Sequence, residues 1–477
     1  MKLPTTAITE FTPLIHAISK RKSFISRKVI ASGTDILDAY HGEMKYTMHP
    51  NAQQAVRQLT DKILNQTAVF KEEDGRMYSK SQPEILRKLA AQKLFPQFTQ
   101  AGLLLDESDI IVSPYSSLGM LEAALMTIAK PDGILLCPFG FYKSNALHIE
   151  KFGLQLRYFE TSLENDARIT PLALKAAIQK HKDQLCGVLF TMPGNPLVAD
   201  YTKEELVAIG RVLVEAKVKV IIDSVFTGIH IHHHPLAAAE VVENGQTHLL
   251  HNQTLTVAGL SKGHHACGPY KIGAATSGDK QWLAEIKSKL VISFQRETTA
   301  LAKAVIENTP CSYLLENEQE MQLNQQMVKK HFKTINEQLG EDVLNYFGTT
   351  QYGPFVLLKV RQDILEMAGI NDGWQLADML LASVGLDTVA GPRMGILQPC
   401  VRININAPRM NGKKNPELLS ELFIRLKQFI AAVLHNGLTY QKALEQIKVP
   451  TKISVQKQRI LRINRFRKIS KNANSLI

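Results

Sequence analysis

Long apolar runs are missing from this chain. In 477 residues none reaches the ~18 that a membrane-spanning helix needs, so an integral membrane protein of that kind is not expected. The opening MKLPTTAITEFTPLIHAISK holds no continuous apolar stretch of the sort a secretory signal carries. Cysteine is scarce. Cys137, Cys186, Cys267, Cys311 and Cys400 are odd in number, far apart and form no CxxC pair. That argues against a disulfide framework and a structural zinc site, and fits a reducing, cytoplasmic compartment. Internal repeats and low-complexity segments are absent. Acidic residues are missing from one end: Lys448 and the residues after it include nine basic side chains and no acidic one. The tail thus carries most of the net charge of +12, leaving only +3 for the first 447 residues. The basic balance belongs to the tail and is no nucleic-acid signature for the whole chain. What is present is ordinary globular material, 45% apolar and 21% charged, which excludes wholesale disorder. At roughly 100–200 residues per domain the length suits two to four domains.

Residues 1–50 show no strong periodicity and read as an arm or irregular lead-in. Helical spacing appears over 51–66 and again over 81–93, where Ile85, Leu86, Leu89 and Ala90 share a face. Short apolar runs then alternate with amphipathic stretches. Strands are predicted at 109–113, 133–137, 155–159, 186–191, 218–223 and 254–260, and helices at 118–129, 143–152 and 202–216. This alternation implies right-handed crossovers and a mostly parallel sheet covered on both faces. Long helical patterns follow around 280–290, 296–308 and 313–339. After Tyr346 the pattern changes, with strands at 355–360 and 400–406 and helices at 374–383 and 416–434, as in a smaller α+β domain. The expected division is 1–75 as an N-terminal arm and part of the small domain, 76–320 as the large domain, 321–447 as the small C-terminal domain and 448–477 as the basic tail.

Ligands of an open parallel sheet sit at the carboxyl ends of its strands. Polar residues occur at those ends here. VIIDSVF puts Asp223 after a β-branched run, LFTMPGNP puts Asn195 after another strand, and TVAGLSKG puts Ser261 and Lys262 after a third. A carboxylate, an amide and a lysine then converge on one rim. Singly, each is an ordinary surface polar residue; together they point to a site.

The ordered elements Tyr78-Ser-Lys-Ser-Gln-Pro-Glu-Ile-Leu-Arg87, Ser116-Ser117, Gly194-Asn195-Pro196, Asp223-Ser-Val-Phe226, Gly259-Leu-Ser-Lys262 and Val401-Arg402-Ile403 run from residue 78 to residue 403, within the stretch 77–434. Asn195 to Asp223 is 28 residues, Asp223 to Lys262 is 39, and Lys262 to Arg402 is 140. In this order and spacing the chain resembles the class I/II aminotransferases, fold type I of the pyridoxal 5'-phosphate enzymes. The resemblance implies an α/β fold: a large cofactor-binding domain with a mostly parallel, seven-stranded-type sheet between helices, plus a smaller α+β domain. It implies that Lys262 forms the Schiff base with the cofactor and shuttles the Cα proton. Asp223 would keep the pyridine nitrogen protonated, and Asn195 would hydrogen-bond the ring 3-oxygen. Tyr142 is at the family spacing for the ring stacked on the cofactor, with Phe141 as the fallback. Tyr115, Ser116, Ser117 and Ser261 fall among the cofactor contacts, the first three opening a helix that holds the phosphate. Tyr78 matches a tyrosine given to the partner subunit's phosphate, which implies a homodimer. Arg402, with Asn195 beside it, matches the arginine that grips the substrate α-carboxylate.

Three positions depart from the pattern. Phe226 replaces a tyrosine and lacks its hydroxyl. The arginine expected after the lysine is absent, Tyr270 stands at its offset, and Lys271 keeps the charge without the bidentate fork. Tyr115-Ser116 replaces Gly-Ser. The implied activity is transfer of an amino group between an L-amino acid and a 2-oxo acid. The alternative is a lyase, decarboxylase or oxidase of an amino acid on the same fold. A reading of another class is a catalytically weak homologue that binds a partner through its tail; intact Lys262, Asp223, Asn195 and Arg402 speak against it.

Other features have plainer readings. The run His230-Ile-His232-His233-His234 invites a metal, but no acidic or cysteine neighbour accompanies it, and a polar connection after a strand is favoured. His264 and His265 are pocket or structural residues alike. Arg296 reads as a solvated helix face, and Lys71-Glu-Glu-Asp-Gly as an exposed loop. The tail interleaves Ile, Leu and Phe with Lys and Arg over 453–469. That suits an anionic partner such as a membrane surface or nucleic acid, against the plainer reading of a solubilising or self-packed tail.

Overall fold

The computed structural model describes residues 11–449 except 45, 72–81, 143, 267–269, 292, 349–350, 412 and 415–416; for 11–16 and 413–414 only the backbone is described. Its main sheet has seven strands in the order Ile110–Ser113, Gly273–Thr276, Thr254–Gly259, Val220–Asp223, Leu185–Thr191, Ile134–Pro138, Gln155–Phe159. Gly273–Thr276 runs antiparallel to both neighbours and the other pairings are parallel. The sheet is mostly parallel, as the alternation of strands and helices implies.

Period-two geometry sorts the strand residues onto two faces. Val112, Leu136, Val188, Phe190, Val220 and Ile222 join one apolar core with the helices Glu84–Lys93, Lys203–Ala216 and Arg296–Glu307. Ile111, Leu135, Leu189, Ile221, Leu255 and Val257 join another with Ser117–Ile128 and Lys280–Lys289. Strands buried on both faces read as unbroken apolar runs, which is why Ile110–Ser113 and Val220–Asp223 are visible in the sequence. Gly273–Thr276, with the sequence GAAT, is just as buried but has too few large residues to stand out.

A second core gathers around the antiparallel sheet Leu344–Phe347, Phe355–Val360, Cys400–Asn404, Val389–Ala390, covered by Gly373–Val384 and Leu418–Asn436. The lead-in is not irregular. Phe11–Ala31 is a helix of 21 residues whose Ile25 and Val29 are buried in this core. Its apolar stripe is narrow and set among Lys20, Arg21, Lys22 and Lys28, so periodicity alone does not reveal it. Leu37–Asp38 then pairs with Leu386–Asp387 and Arg409–Met410. The helix Cys311–Leu339 runs on unbroken through the expected boundary at 320/321, with Met321 against Phe226 and Phe355 and with Val328, Phe332 and Ile335 in the second core. Among the described residues no helix is long and apolar enough to cross a membrane.

Candidate active site

Adjacent parallel strands end on one rim. Thr191 pairs with Asp223 and Asp223 with Val257, so the segments leading to Asn195, Asp223 and Lys262 leave the sheet side by side. Ser224 Oγ donates to Met192 O at 2.7 Å and tethers the first two. The turns after Asp223 and Lys262 meet at Gly228 and Gly263, where a Cβ on either would overlap the other's backbone. Only glycine allows that approach.

Asp223 is 6% exposed. Burial pushes its carboxyl up to about 6, against the opposing pull of Asn145, the Val225 N–H and the Lys262 charge. Asn145 is buried, and although its amide makes no hydrogen bond of ordinary geometry it lies near enough to favour the carboxylate. The Lys262 ammonium donates to Gly42 O and lies 5.8 Å from the Phe226 ring centroid. Phe226 meets Phe355 edge to face at 5.9 Å within a small apolar cluster that includes Met44, Ile229 and Met321. The missing hydroxyl is thus replaced by packing. Ser261 is part-exposed in the turn beside Lys262.

Arg402 is 1% exposed. Its Nη1 donates to Asn195 Oδ1 at 3.1 Å and its Nη2 to Tyr40 O at 2.5 Å, with Cζ 4.0 Å from the Phe355 centroid. Burial pulls its pKa down to about 10, against nearby Tyr142 and Tyr40. It has no ion pair among the described residues, and its Nε is buried without a hydrogen-bond partner. An unpaired buried guanidinium is what a carboxylate-binding site requires.

At the other end, Ser116 precedes the helix Ser117–Ile128 with φ 88°, a sparsely populated conformation for a non-glycine residue. Gly273 packs against the Ser116–Ser117 backbone, where any Cβ would clash. The first N–H groups of that helix have no intrahelical acceptor, and with the bare backbone around them they suit a phosphate. Tyr115 is 62% exposed, and Lys271 is part-exposed two residues before Gly273. Of the two aromatic candidates, Phe141 is spent on the core, stacked on Tyr158 at 5.5 Å. Tyr142 stays part-exposed near Arg402 and Tyr40. Tyr78 lies outside the described residues.

Sequence reasoning missed three participants. Tyr40 and Gly42 act through backbone carbonyls, which no side-chain motif announces. Asn145 had a weak signal, three residues after Tyr142 at the start of a helix. The histidine run does have an acidic partner, contrary to the local reading. Glu318, from the helix Cys311–Leu339, accepts His230 Nδ1 and His232 Nδ1, each at 2.8 Å. No metal-type cluster of three or more ligands occurs among the described residues. His264 is buried with its pKa pushed down to about 4, and His265 sits 3.2 Å from Asn317 Nδ2. Arg296 pairs with Glu297 at 3.1 Å and lies over Phe70. Residues 72–75 of the acidic cluster and 450–477 of the tail lie outside the described residues.

The family model for aminotransferase class I and II matches residues 37–422. An asparagine–oxo-acid transaminase of Streptococcus mutans is 23% identical over 384 residues, 80% of this chain and 90% of that protein. An aspartate/prephenate aminotransferase of Cereibacter sphaeroides is 23% identical over 412 residues, 86% of this chain and 94% of that protein. Among solved structures, the aspartate aminotransferase of Rhizobium meliloti superposes with a TM-score of 0.68 at 18% identity, covering 90% of this chain and 99% of that one. That of Thermotoga maritima gives 0.64 at 15% identity, covering 87% and 96%.

Proposed function

The chain belongs to the class I and II aminotransferase family, and we propose that it moves an amino group between an L-amino acid and a 2-oxo acid with pyridoxal 5'-phosphate held at the rim described above. The observation that carries this reading is the meeting of Asp223, Lys262 and the Asn195–Arg402 pair at neighbouring strand ends. The residues fit the cofactor. Ser116 and Ser117 border a bare-backbone cradle at Gly273 that suits the phosphate, Tyr115 precedes them, Lys271 stands two residues before Gly273 and Ser261 two residues after Gly259, which packs on Ser117, and Asp223 offers a buried carboxylate that would suit the pyridine nitrogen. When bound, the cofactor supplies the electron sink for the Cα carbanion.

The protein's own residues do the rest. Asp223 would hold a proton on the ring nitrogen, and a cationic partner there would bring its raised pKa back down. Lys262 anchors the cofactor, and its amine takes the proton from the substrate Cα and returns it elsewhere. Arg402 grips the α-carboxylate with two parallel bonds in exchange for the neutral oxygens it holds now. Asn195 Oδ1 accepts from the guanidinium, and its amide N–H would donate to the ring 3-oxygen, so one amide would align substrate and cofactor. Tyr142 would cover the ring face, and buried Phe226 shields its side of Lys262 from water. In a homodimer Tyr78 would reach the phosphate end of the neighbouring subunit. The two apolar cores support a large and a small domain, and the scarcity of cysteine supports a cytoplasmic setting. Relatives named as transaminases weigh against elimination, decarboxylation or oxidation as the main outcome.

The test is to load the purified chain with pyridoxal 5'-phosphate, reduce it with borohydride and map the modified peptide. The expected result is a cofactor fixed on Lys262, with Lys262→Ala losing both the label and at least a thousandfold in transamination. A label on another lysine, or ammonia released in place of a transferred amino group, would overturn the reading.

A further inference from the structure

The backbone at Ser116–Ser117 hangs from the edge of the main sheet. It continues from the strand Ile110–Ser113, which has four residues and, among the described residues, one neighbouring strand, Gly273–Thr276. The outer side of such a strand leaves backbone N–H and C=O groups without a ladder partner. At Val112 a side chain takes both. Gln82 Oε1 accepts the Val112 N–H at 2.6 Å, and Gln82 Nε2 donates to the Val112 carbonyl at 3.0 Å. One amide thus makes the two-way exchange that a strand partner would make. Val112 has no exposed surface, so water is a poor substitute for either bond.

From Val112 the hold passes inward in short steps. Ser113, the next residue, is fully buried, and its Oγ accepts the Tyr115 N–H at 3.2 Å. The same Oγ stands 3.1 Å from where a Cβ on Gly119 would lie, which presses it against the first turn of the helix Ser117–Ile128. Ser113 is also the register partner of Gly273, the residue whose bare backbone packs on Ser116 and Ser117. A displacement of Val112 therefore displaces the N–H groups at the mouth of that helix. Gly273 has no side chain with which to resist it, and the uncommon φ of 88° at Ser116 persists only if its surroundings impose it. Gln82 braces the strand from the side opposite Gly273–Thr276.

We propose that Gln82 is a positioning residue for the cofactor phosphate: by closing the free edge of Ile110–Ser113 with its amide, it sets the Ser116–Ser117 backbone where the phosphate is held. This rests on the reading that pyridoxal 5'-phosphate binds at the rim with its phosphate on that backbone. Gln82 acts through Val112, so it tunes the phosphate end and leaves the aldehyde end to Lys262.

The test titrates the full chain, freed of cofactor, with pyridoxal 5'-phosphate and with pyridoxal, which has the same ring and aldehyde but no phosphate. Borohydride trapping verifies that both are fixed on Lys262. Two variants are compared with wild type. Gln82→Met has similar length and neither donates nor accepts as an amide does, and Gln82→Glu keeps the acceptor and loses the donor when ionised. Gln82→Met should weaken pyridoxal 5'-phosphate roughly tenfold and pyridoxal less than about twofold, with Gln82→Glu in the same direction. The 31P resonance of the bound phosphate should shift in both. Melting curves of the cofactor-free chains verify folding. Equal weakening of the two ligands would show a general structural role and overturn the inference, as would unchanged affinity for both. Should neither variant fold, hydrogen exchange in the wild-type chain decides: the Val112 N–H should be protected, and exchange at the rate of an open edge amide would overturn the inference. These outcomes leave the transaminase reading intact. Failure to fix pyridoxal 5'-phosphate on Lys262 in the wild-type chain would instead overturn that reading, and the inference with it.

Discussion

What Gly273 contributes to the proposed cofactor end of the site is empty space. A methyl there would drive into the Ser116–Ser117 backbone at the mouth of the helix Ser117–Ile128. Gly273→Ala should cost about 1–3 kcal/mol of stability through overpacking and weaken cofactor binding at least tenfold. Paired denaturation and cofactor-titration curves check both, and unchanged affinity would show that the phosphate lies elsewhere. At this scale the sequence is informative where chemistry needs a particular side chain. Asp223, Asn195 and Lys262 stand out because each follows an apolar strand, and the sheet then brings them together. Tyr40 and Gly42 do not stand out, because their backbone carbonyls make the contacts and any residue has one.

Among the elements, the histidine loop and the helix Cys311–Leu339 form a pH-dependent clasp. Glu318, 3% exposed, accepts from both His230 and His232. His230 also lies 3.7 Å from Asp200, stacks on Tyr352 at 4.1 Å, and accepts at its carbonyl from His233 Nδ1 at 2.7 Å. Burial opposes the His230 charge, yet Asp200 and Glu318 raise its pKa above the ordinary 6.5. Glu318 is in turn held below the ordinary 4.5 by His230 and His232, against its own burial. A raised histidine stabilises the fold below its unfolded pKa and loses that contribution as pH climbs through the folded value. A depressed carboxylate stabilises above its unfolded pKa and loses it as pH falls through the folded value. The clasp is therefore strongest between about pH 4.5 and 6.5. Glu318→Gln should cost about 3 kcal/mol in that window, less above neutrality and less in acid. Buried His233, pushed down to about 3, acts oppositely by favouring the folded state above pH 6.5, so the difference between wild type and variant is the quantity to plot. A pH-independent difference would show that Glu318 acts by packing alone. The loop's polarity is legible in the sequence. Its partner is not, since nothing local links His230 to a residue 88 positions away.

For the whole molecule, helices from early and late in the described chain share one core. The helix Phe11–Ala31 buries Ile25, with no exposed surface, in the same core as Leu418–Asn436. The segment that follows crosses to the rim, where Asn404 Nδ2 holds His41 O at 2.6 Å and Glu43 O at 2.8 Å. Ile25→Ala should cost about 2–5 kcal/mol, read from the urea midpoint. A cost well under 1 kcal/mol would mean that the helix is dispensable to the core. The layered α/β plan was open to sequence reading because buried parallel strands and amphipathic helices alternate plainly. The antiparallel strand Gly273–Thr276 and the N-terminal helix were not, one for lack of large side chains and the other for its narrow apolar stripe.

The back-to-back contact of Gly228 and Gly263 separates two jobs that enzymes often entangle. The turns that follow the acid and the amine meet as one backbone surface touching another, with no side chain between the two glycines. Arg402, proposed above to grip the substrate carboxylate, is held by another part of the chain, the 39–43 crossing. Substitutions in that crossing should therefore alter the Arg402 side of the site while leaving the contact of the two glycines in place, and Gly228 and Gly263 are the positions a redesign should leave alone.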